Sequence, residues 1–158
     1  MNFFFFIVIQ KYVTKTCTNK QKIYAAYEYA LSSVGKDMNA IPIYNKYVEF
    51  AEQAGTQIIS IDKLRKIYHR AHLIPMEGLQ EFHGKYRNWE TDKSPHLAPQ
   101  LLPEQERHFK ATAAVYHTKK RYHRQLQWTL RPMQNEGFDT IHRWRLFIEY
   151  EKKNPLGS

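Results

Sequence analysis

The sequence is poor in cysteine and glycine, and it lacks a long hydrophobic run. Cys17 is the single cysteine among 158 residues, which excludes an internal disulfide and a cysteine-based zinc site and favours a reduced, intracellular protein. Six glycines are too few for the repeated tight turns of a sheet, whereas Ala, Leu, Glu, Lys, Arg and Gln fill long stretches. Both shortages favour an all-α fold.

The most apolar segment is the opening "MNFFFFIVIQKY". Its apolar run covers residues 3–9, whereas a membrane-spanning helix needs about 20 apolar residues. No basic residue precedes the run and no small-residue cleavage site follows it, so it differs from a signal peptide. We therefore predict no membrane association and a buried helix over residues 3–16.

Aromatic side chains recur at a three-residue spacing. In "IHRWRLFIEYEKKNP" the last aromatic residue is followed directly by a glutamate. A helix advances about 100° per residue, so the aromatic residues, two isoleucines and the glutamate share one side of it. This stripe comprises Ile141, Trp144, Phe147, Ile148, Tyr150 and Glu151. We predict that it is a buried packing face that contains one acid.

The same spacing starts at Phe6, Tyr44 and His83, at intervals of about 38 residues. A second helix type, in which an aromatic residue is followed three positions later by alanine, lies between these segments. Such helix pairs cannot bury their faces alone and must stack on their neighbours. The predicted structural positions of the repeats are Tyr27, Ala30, Tyr44, Tyr47, Phe50, Tyr68, Ala71, Tyr86, Trp89, Glu90, Trp144, Phe147, Tyr150 and Glu151.

The pattern predicts an all-α, right-handed superhelical solenoid of antiparallel helix pairs, in one domain over residues 1–158. Three prolines between residues 91 and 103 indicate an extended, proline-rich insertion at about 91–103. About seven helices are expected. They fall near residues 3–16, 20–33, 40–54, 60–73, 78–90, 104–128 and 138–152.

These repeats resemble the HAT (half-a-TPR) repeat, a TPR-like helix pair. The segments "YAAYEYALSSVGKDMNAIPIYNKYVEF", "KLRKIYHRAHLIPMEGLQEFHGKYRNWE" and "WRLFIEYEKKNPL" are similar to the N-terminal HAT portion of the suppressor of forked family, the large HAT-repeat subunits of cleavage stimulation factor. The resemblance covers nearly the whole chain, from about residue 6 to residue 156. Family members are much longer than this sequence, which looks like a fragment or a truncated gene product.

The resemblance implies a nuclear protein-interaction scaffold for pre-mRNA 3′-end cleavage and polyadenylation. It implies that the partners are other subunits of the 3′-end processing complex, that RNA contact is indirect, and that dimerisation uses a C-terminal half outside this sequence. An alternative is a HAT scaffold of splicing or rRNA processing. The proline-rich insertion and the "EKKNPL" helix end favour the 3′-end factor.

Candidate chemical groups are few. His69 and His72 lie three residues apart, but no third ligand stands at a metal-binding spacing from them. Glu90 and Glu151 occupy equivalent positions in distant repeats, where a buried glutamate more often joins two helices than acts as an acid. No glycine-rich phosphate loop or nucleophile elbow is present. We predict no catalytic residue, no metal and no cofactor, and therefore no enzyme.

Charge is the remaining functional signal. The formal net charge is +9, which favours an anionic partner. The densest basic run, "KKRYHRQLQW", places Lys119, Lys120, Arg121 and Arg124 on one long helix. These four residues could contact a partner, form a nuclear-import patch or bind RNA without sequence specificity, and the simplest alternative is a solvated helix face.

Overall fold

The structure, a computed structural model, describes residues 19–56, 58–126 and 137–153. These residues form six helices and no strand: α1 (Lys20–Val34), α2 (Ile41–Ala54), α3 (Ile61–His72), α4 (Leu79–Lys93), α5 (Ala98–Gln125) and α6 (Gly137–Lys152). The all-α prediction is confirmed, and these helices begin and end close to six of the seven expected ranges, with one exception at α5. The expected helix over residues 3–16 lies outside the described residues.

Short connections separate α1 to α5, and two of these helices begin with a side-chain cap. The Asn19 side chain accepts hydrogen bonds from the backbone N–H groups of Gln21 and Lys22, which starts α1. Ser60 caps α3 in the same way. Gly78 precedes α4 with φ +82°, in the left-handed region that favours glycine.

Consecutive helices pack antiparallel. Lys20 at the start of α1 donates to the carbonyl of Ala54 at the end of α2. In the next pair, Arg65 near the start of α3 meets Glu90 near the end of α4. The turn between α1 and α2 is also joined to the turn between α3 and α4. The backbone N–H of Glu77 in the second turn donates to the carbonyl of Met38 in the first over 2.8 Å. The second helix pair therefore stacks directly on the first.

Aromatic rings fill the core between α1 and α4. Tyr27 stacks on Tyr47 with 4.9 Å between ring centroids. Tyr68 lies at the centre of the second pair, 5.0 to 5.3 Å from the rings of Phe82, Tyr86 and Trp89. These rings come from residues three or four apart on facing helices, as expected from a stripe on each helix.

The predicted loop over residues 91–103 is wrong. Helix α4 continues to Lys93 and α5 begins at Ala98, so four residues separate them. Pro99 lies in the first turn of α5, where proline is well tolerated because that turn needs no backbone donor. Pro103 lies inside α5. The sequence pattern was misread because the prolines marked a helix start instead of a loop.

No helix among the described residues is long and apolar enough to cross a membrane.

Candidate interaction surface

Helix α5 carries the four basic residues that the sequence singled out, and the structure divides them. Lys119 donates to the Glu151 carboxylate of α6 over 3.1 Å. Lys120 donates to Glu77 over 2.7 Å and lies 5.3 Å from the ring centroid of Tyr116. The hydrogen bond between Lys120 and Glu77 lowers the pKa of Glu77 and raises the pKa of Lys120. Half of the predicted basic surface is therefore already paired with acids of the same chain.

The other two residues, Arg121 and Arg124, are exposed. Within the described ranges neither guanidinium has an ion-pair partner. Arg121 lies 6.0 Å from the ring centroid of Tyr122, at the outer limit of a cation–π contact. The freely available positive charge of this helix is thus smaller than the sequence suggests.

A groove of about 840 Å³ lies where the two turns meet the ends of α5 and α6. Its lining comes from the α1–α2 turn, the α3–α4 turn, the Lys119 side of α5 and the Phe147 side of α6. We call this cavity the hairpin groove. It brings Lys119, Phe147 and Glu151, all singled out from the sequence, together with turn residues that the sequence did not single out.

The floor of the hairpin groove is apolar. Leu73, Ile74 and Pro75 follow α3 directly and line the groove with Met38 and Phe147. Leu73 is 53% exposed, and the other four are half-buried. The sequence signal was present in the apolar run "LIP" after α3, but repeat periodicity does not reveal which turns face a groove.

Arg70 forms one wall and is held firmly. Its Nη1 and Nη2 atoms donate to Oε2 and Oε1 of Glu28 over 3.1 and 3.3 Å. The Tyr47 hydroxyl donates to the same carboxylate. Burial opposes ionisation of Glu28, but the hydrogen bonds from Arg70 and Tyr47 outweigh it and lower the pKa of Glu28. One carboxylate thus joins α1, α2 and α3.

A buried chain of polar side chains attaches α5 to the first four helices. His72 Nδ1 lies 3.1 Å from Gln105 Oε1, and His72 Nε2 lies 3.2 Å from His83 Nδ1. The other nitrogen of His83 lies 2.7 Å from Glu106 Oε2. Phe109 stacks on the His83 ring with 4.4 Å between centroids. This histidine chain was not predicted, because each histidine was considered only as a metal ligand or as a substituted repeat position.

Most predicted repeat positions are buried. The buried ones are Tyr27, Ala30, Tyr44, Tyr47, Tyr68, Ala71, Tyr86, Trp89 and Glu90, whereas Phe50 is half-buried. They form the core and not the groove. Within the described part of the chain, no group of three or more histidine, cysteine, aspartate or glutamate side chains could hold a metal ion.

The predicted buried face of α6 is wrong for its isoleucines. Ile141 is 67% and Ile148 48% exposed, because among the described helices α6 packs mainly on α5. Trp144, Phe147, Tyr150 and Glu151 are half-buried. Phe147 and Tyr150 of α6 contact Tyr122 and His123 of α5. Only this aromatic part of the predicted face therefore packs on α5, and the isoleucines lie outside the contact.

The stacked helix pairs define a helical-repeat protein, a class that uses extended surfaces of its stack for binding. The family model described as "Suppressor of forked protein (Suf)" matches residues 3–158. The chain belongs to the suppressor of forked family, as its repeats indicated.

Named relatives agree with this assignment. "Cleavage stimulation factor subunit 77" of Arabidopsis thaliana is 28% identical over 91% of this chain and 21% of its own length. "Protein suppressor of forked" of Drosophila melanogaster is 28% identical over 88% of this chain and 19% of its own. "mRNA 3′-end-processing protein RNA14" of Candida albicans is 26% identical over 83% and 18%. The chain therefore spans about a fifth of the length of these relatives.

The crystal structure of CstF-77 has a similar fold. The TM-score is 0.69 at 19% sequence identity, over 94% of this chain and 37% of the other. At this identity the similarity shows the fold alone.

Proposed function

We propose that this chain is part of a nuclear protein-interaction scaffold for pre-mRNA 3′-end cleavage and polyadenylation. The observation that carries the proposal is the family match over residues 3–158, together with relatives that are named as cleavage stimulation factor and mRNA 3′-end-processing proteins. The chain acts by holding other subunits of the processing complex against its helices and turns, and it needs no cofactor for this.

The structure supports binding to proteins more than direct binding to RNA. Lys119 and Lys120 already pair with carboxylates, and an RNA phosphate would have to displace those acids. A second candidate, RNA binding without sequence specificity, is favoured by the net charge of +9 and by Arg121 and Arg124, the two residues of the basic run that are exposed and unpaired among the described residues. Two free cations give a small counterion-release contribution compared with the six to ten phosphate contacts that typify strong binders.

Affinity purification of the tagged chain from nuclear extract tests the proposal. After nuclease treatment, quantitative mass spectrometry should find 3′-end cleavage and polyadenylation subunits enriched over the tag alone. Enrichment of spliceosomal or pre-rRNA processing subunits in their place would assign the chain to those scaffolds. Loss of all partners after nuclease treatment would show that RNA holds the complex together.

The RNA candidate needs its own variant. An Arg121→Glu, Arg124→Glu protein should retain its protein partners if the scaffold proposal is right. A Lys66→Glu, Arg87→Glu protein is the matched control, because both residues are exposed and lie on other helices. Loss of partners by the α5 variant but not by the control would favour the RNA candidate, provided that nuclease causes the same loss in the parent.

A further inference from the structure

The hairpin groove exposes an apolar surface that the described part of the chain does not cover. Leu73 is more than half exposed at the groove, and it adjoins Ile74, Pro75 and Met38. Scattered exposed leucines are ordinary, but an apolar floor between walls of charged side chains is typical of a protein-binding site.

The charges around this floor favour an acidic partner. The groove lining holds three cations, Lys36, Arg70 and Lys119, and two carboxylates. Glu151 is neutralised by Lys119, whereas Asp37, within the described ranges, accepts only from the neutral nitrogens of Asn39 and keeps its charge. Lys36 is exposed and has no ion-pair partner among the described residues. An incoming carboxylate would therefore meet an unpaired lysine in a chain of net charge +9.

The shape of the floor separates a peptide from RNA. Base stacking needs an exposed aromatic face, whereas Leu73, Ile74 and Pro75 are aliphatic. Two rings line the groove. Phe147 is half-buried against His123 and Trp144, with centroids 5.1 and 6.2 Å away, so the exposed His123 ring is the one stacking face in this lining. Aliphatic side chains, in contrast, can lie between these residues and bury apolar area.

We infer that the hairpin groove binds an acidic peptide segment of a partner protein, whose apolar side chains rest on Leu73, Ile74 and Pro75 and whose carboxylates face Lys36. The inference deepens the proposed function and rests on it only for the complex to which the partner belongs. The binding chemistry follows from the groove itself.

Selection from a phage-displayed library of random 12-residue peptides tests this chemistry. Peptides enriched on the parent chain should carry net negative charge together with Leu, Ile, Met or Phe. A fluorescein-labelled member of the enriched set should bind the Leu73→Glu variant at least about tenfold more weakly, since the change removes an apolar contact and adds repulsion. Lys36→Glu should weaken binding several-fold at low salt and less at high salt.

Two matched variants control for general effects. Leu97→Glu changes another exposed leucine, and Lys66→Glu another exposed lysine, and neither residue lines the groove. Both should bind the peptide as the parent does. Thermal unfolding of all four variants checks that they remain folded; the changed residues are exposed, and little loss of stability is expected.

Three results would overturn the inference. These are enrichment of peptides without net negative charge, equal binding by the parent and the Leu73→Glu protein, and binding of a 12-nucleotide oligouridine that depends on Leu73. The last result would assign the groove to RNA. None of them bears on which subunits copurify from nuclear extract, so the inference and the proposed function can fail separately.

Discussion

Helices α4 and α6 place equivalent residues in very different surroundings. In α4, His83, Tyr86, Trp89 and Glu90 are all buried between α3 and α5. In α6, the residues at the same spacing are Trp144, Phe147, Tyr150 and Glu151, and all are half-buried. A helix with this aromatic spacing is buried only when a neighbour packs on each side, and among the described helices α5 is the one against which α6 mainly packs.

The two glutamates show the difference most clearly. Glu90 has a fully buried side chain and accepts from Nε and Nη2 of Arg65 over 2.9 and 2.8 Å. Glu151 is 38% exposed, and Lys119 is its one donor among the described residues. The sequence pattern thus specifies which face of a helix can be buried, whereas the number of packed neighbours decides whether it is buried.

Replacing the middle aromatic residue of each stripe should give the largest contrast. We expect Tyr86→Ala to lower the free energy of unfolding by about 3–5 kcal/mol through lost contacts and a cavity. Phe147→Ala should cost less than about 2 kcal/mol, because the ring is only half-buried. Urea unfolding at neutral pH measures both. Equal costs would mean that α6 is as well packed as α4.

Removing the two glutamates should give a smaller contrast of the same sign. Glu90→Ala leaves the mostly buried Arg65 guanidinium without its main partner, so we expect a loss of about 3 kcal/mol. Glu151→Ala removes one partly exposed ion pair and should cost less than about 1 kcal/mol. Glu90→Gln keeps the shape and part of the hydrogen bonding, and an intermediate loss is expected. A Glu90→Ala protein as stable as the parent would contradict the structural role of the pair.

The histidine chain between the two regions should make stability depend on pH. Burial lowers the pKa of His72 to about 4, against 6.5 for the ordinary group, and the neighbouring His83, His69 and His108 act in the same direction. The hydrogen bond with Gln105 opposes the shift only in part. Between these pH values the unfolded chain binds more protons than the folded chain. The free energy of unfolding should therefore fall as the pH falls below 6.5, by about 2 kcal/mol at pH 5.

Replacing His72 isolates this contribution. In a His72→Gln protein the free energy of unfolding should depend less steeply on pH between about 4.5 and 6.5, because the uptake of about one proton on unfolding is lost. His96 is exposed, and a His96→Gln protein should show the same pH dependence as the parent. Carboxyl groups with a lowered pKa, such as Glu28 and Glu106, add to the loss of stability near the acidic end of this window, where the unfolded chain protonates them, and their contribution is the same in the parent and in His72→Gln. Thermal unfolding across the window provides the measurement. An unchanged slope in His72→Gln would show that other groups cause it.

The fold could be predicted from the sequence where local pattern determines structure. The aromatic spacing and the alanines of the second helix type located α1 to α4 within a few residues. The start of α5 was missed because proline is compatible with both a loop and a first helical turn, and only packing against α3 and α4 decides between them.

The candidate surface was predicted only in part. Lys119, Lys120, Arg121 and Arg124 stand out as a charge run, but their carboxylate partners are up to 43 residues away in the sequence, so the pairing could not be seen. The hairpin groove arises from two turns that meet only when helix pairs stack. Its residues have no periodic signal, and Leu73 is recognisable only once its neighbours are known.

The hydrogen bond between the Glu77 N–H and the Met38 carbonyl has an evolutionary consequence. It joins the two turns through main-chain atoms, so any residue except proline at position 77 can provide the donor. Met76 and Ala40 of the same turns are buried in the core, whereas Lys36 and Leu73 are exposed and do not hold the helix pairs together. If the hairpin groove binds a peptide as inferred above, substitutions at these two exposed positions would change which peptide is bound while the stack of helices is preserved, so binding specificity could diverge here without loss of the fold.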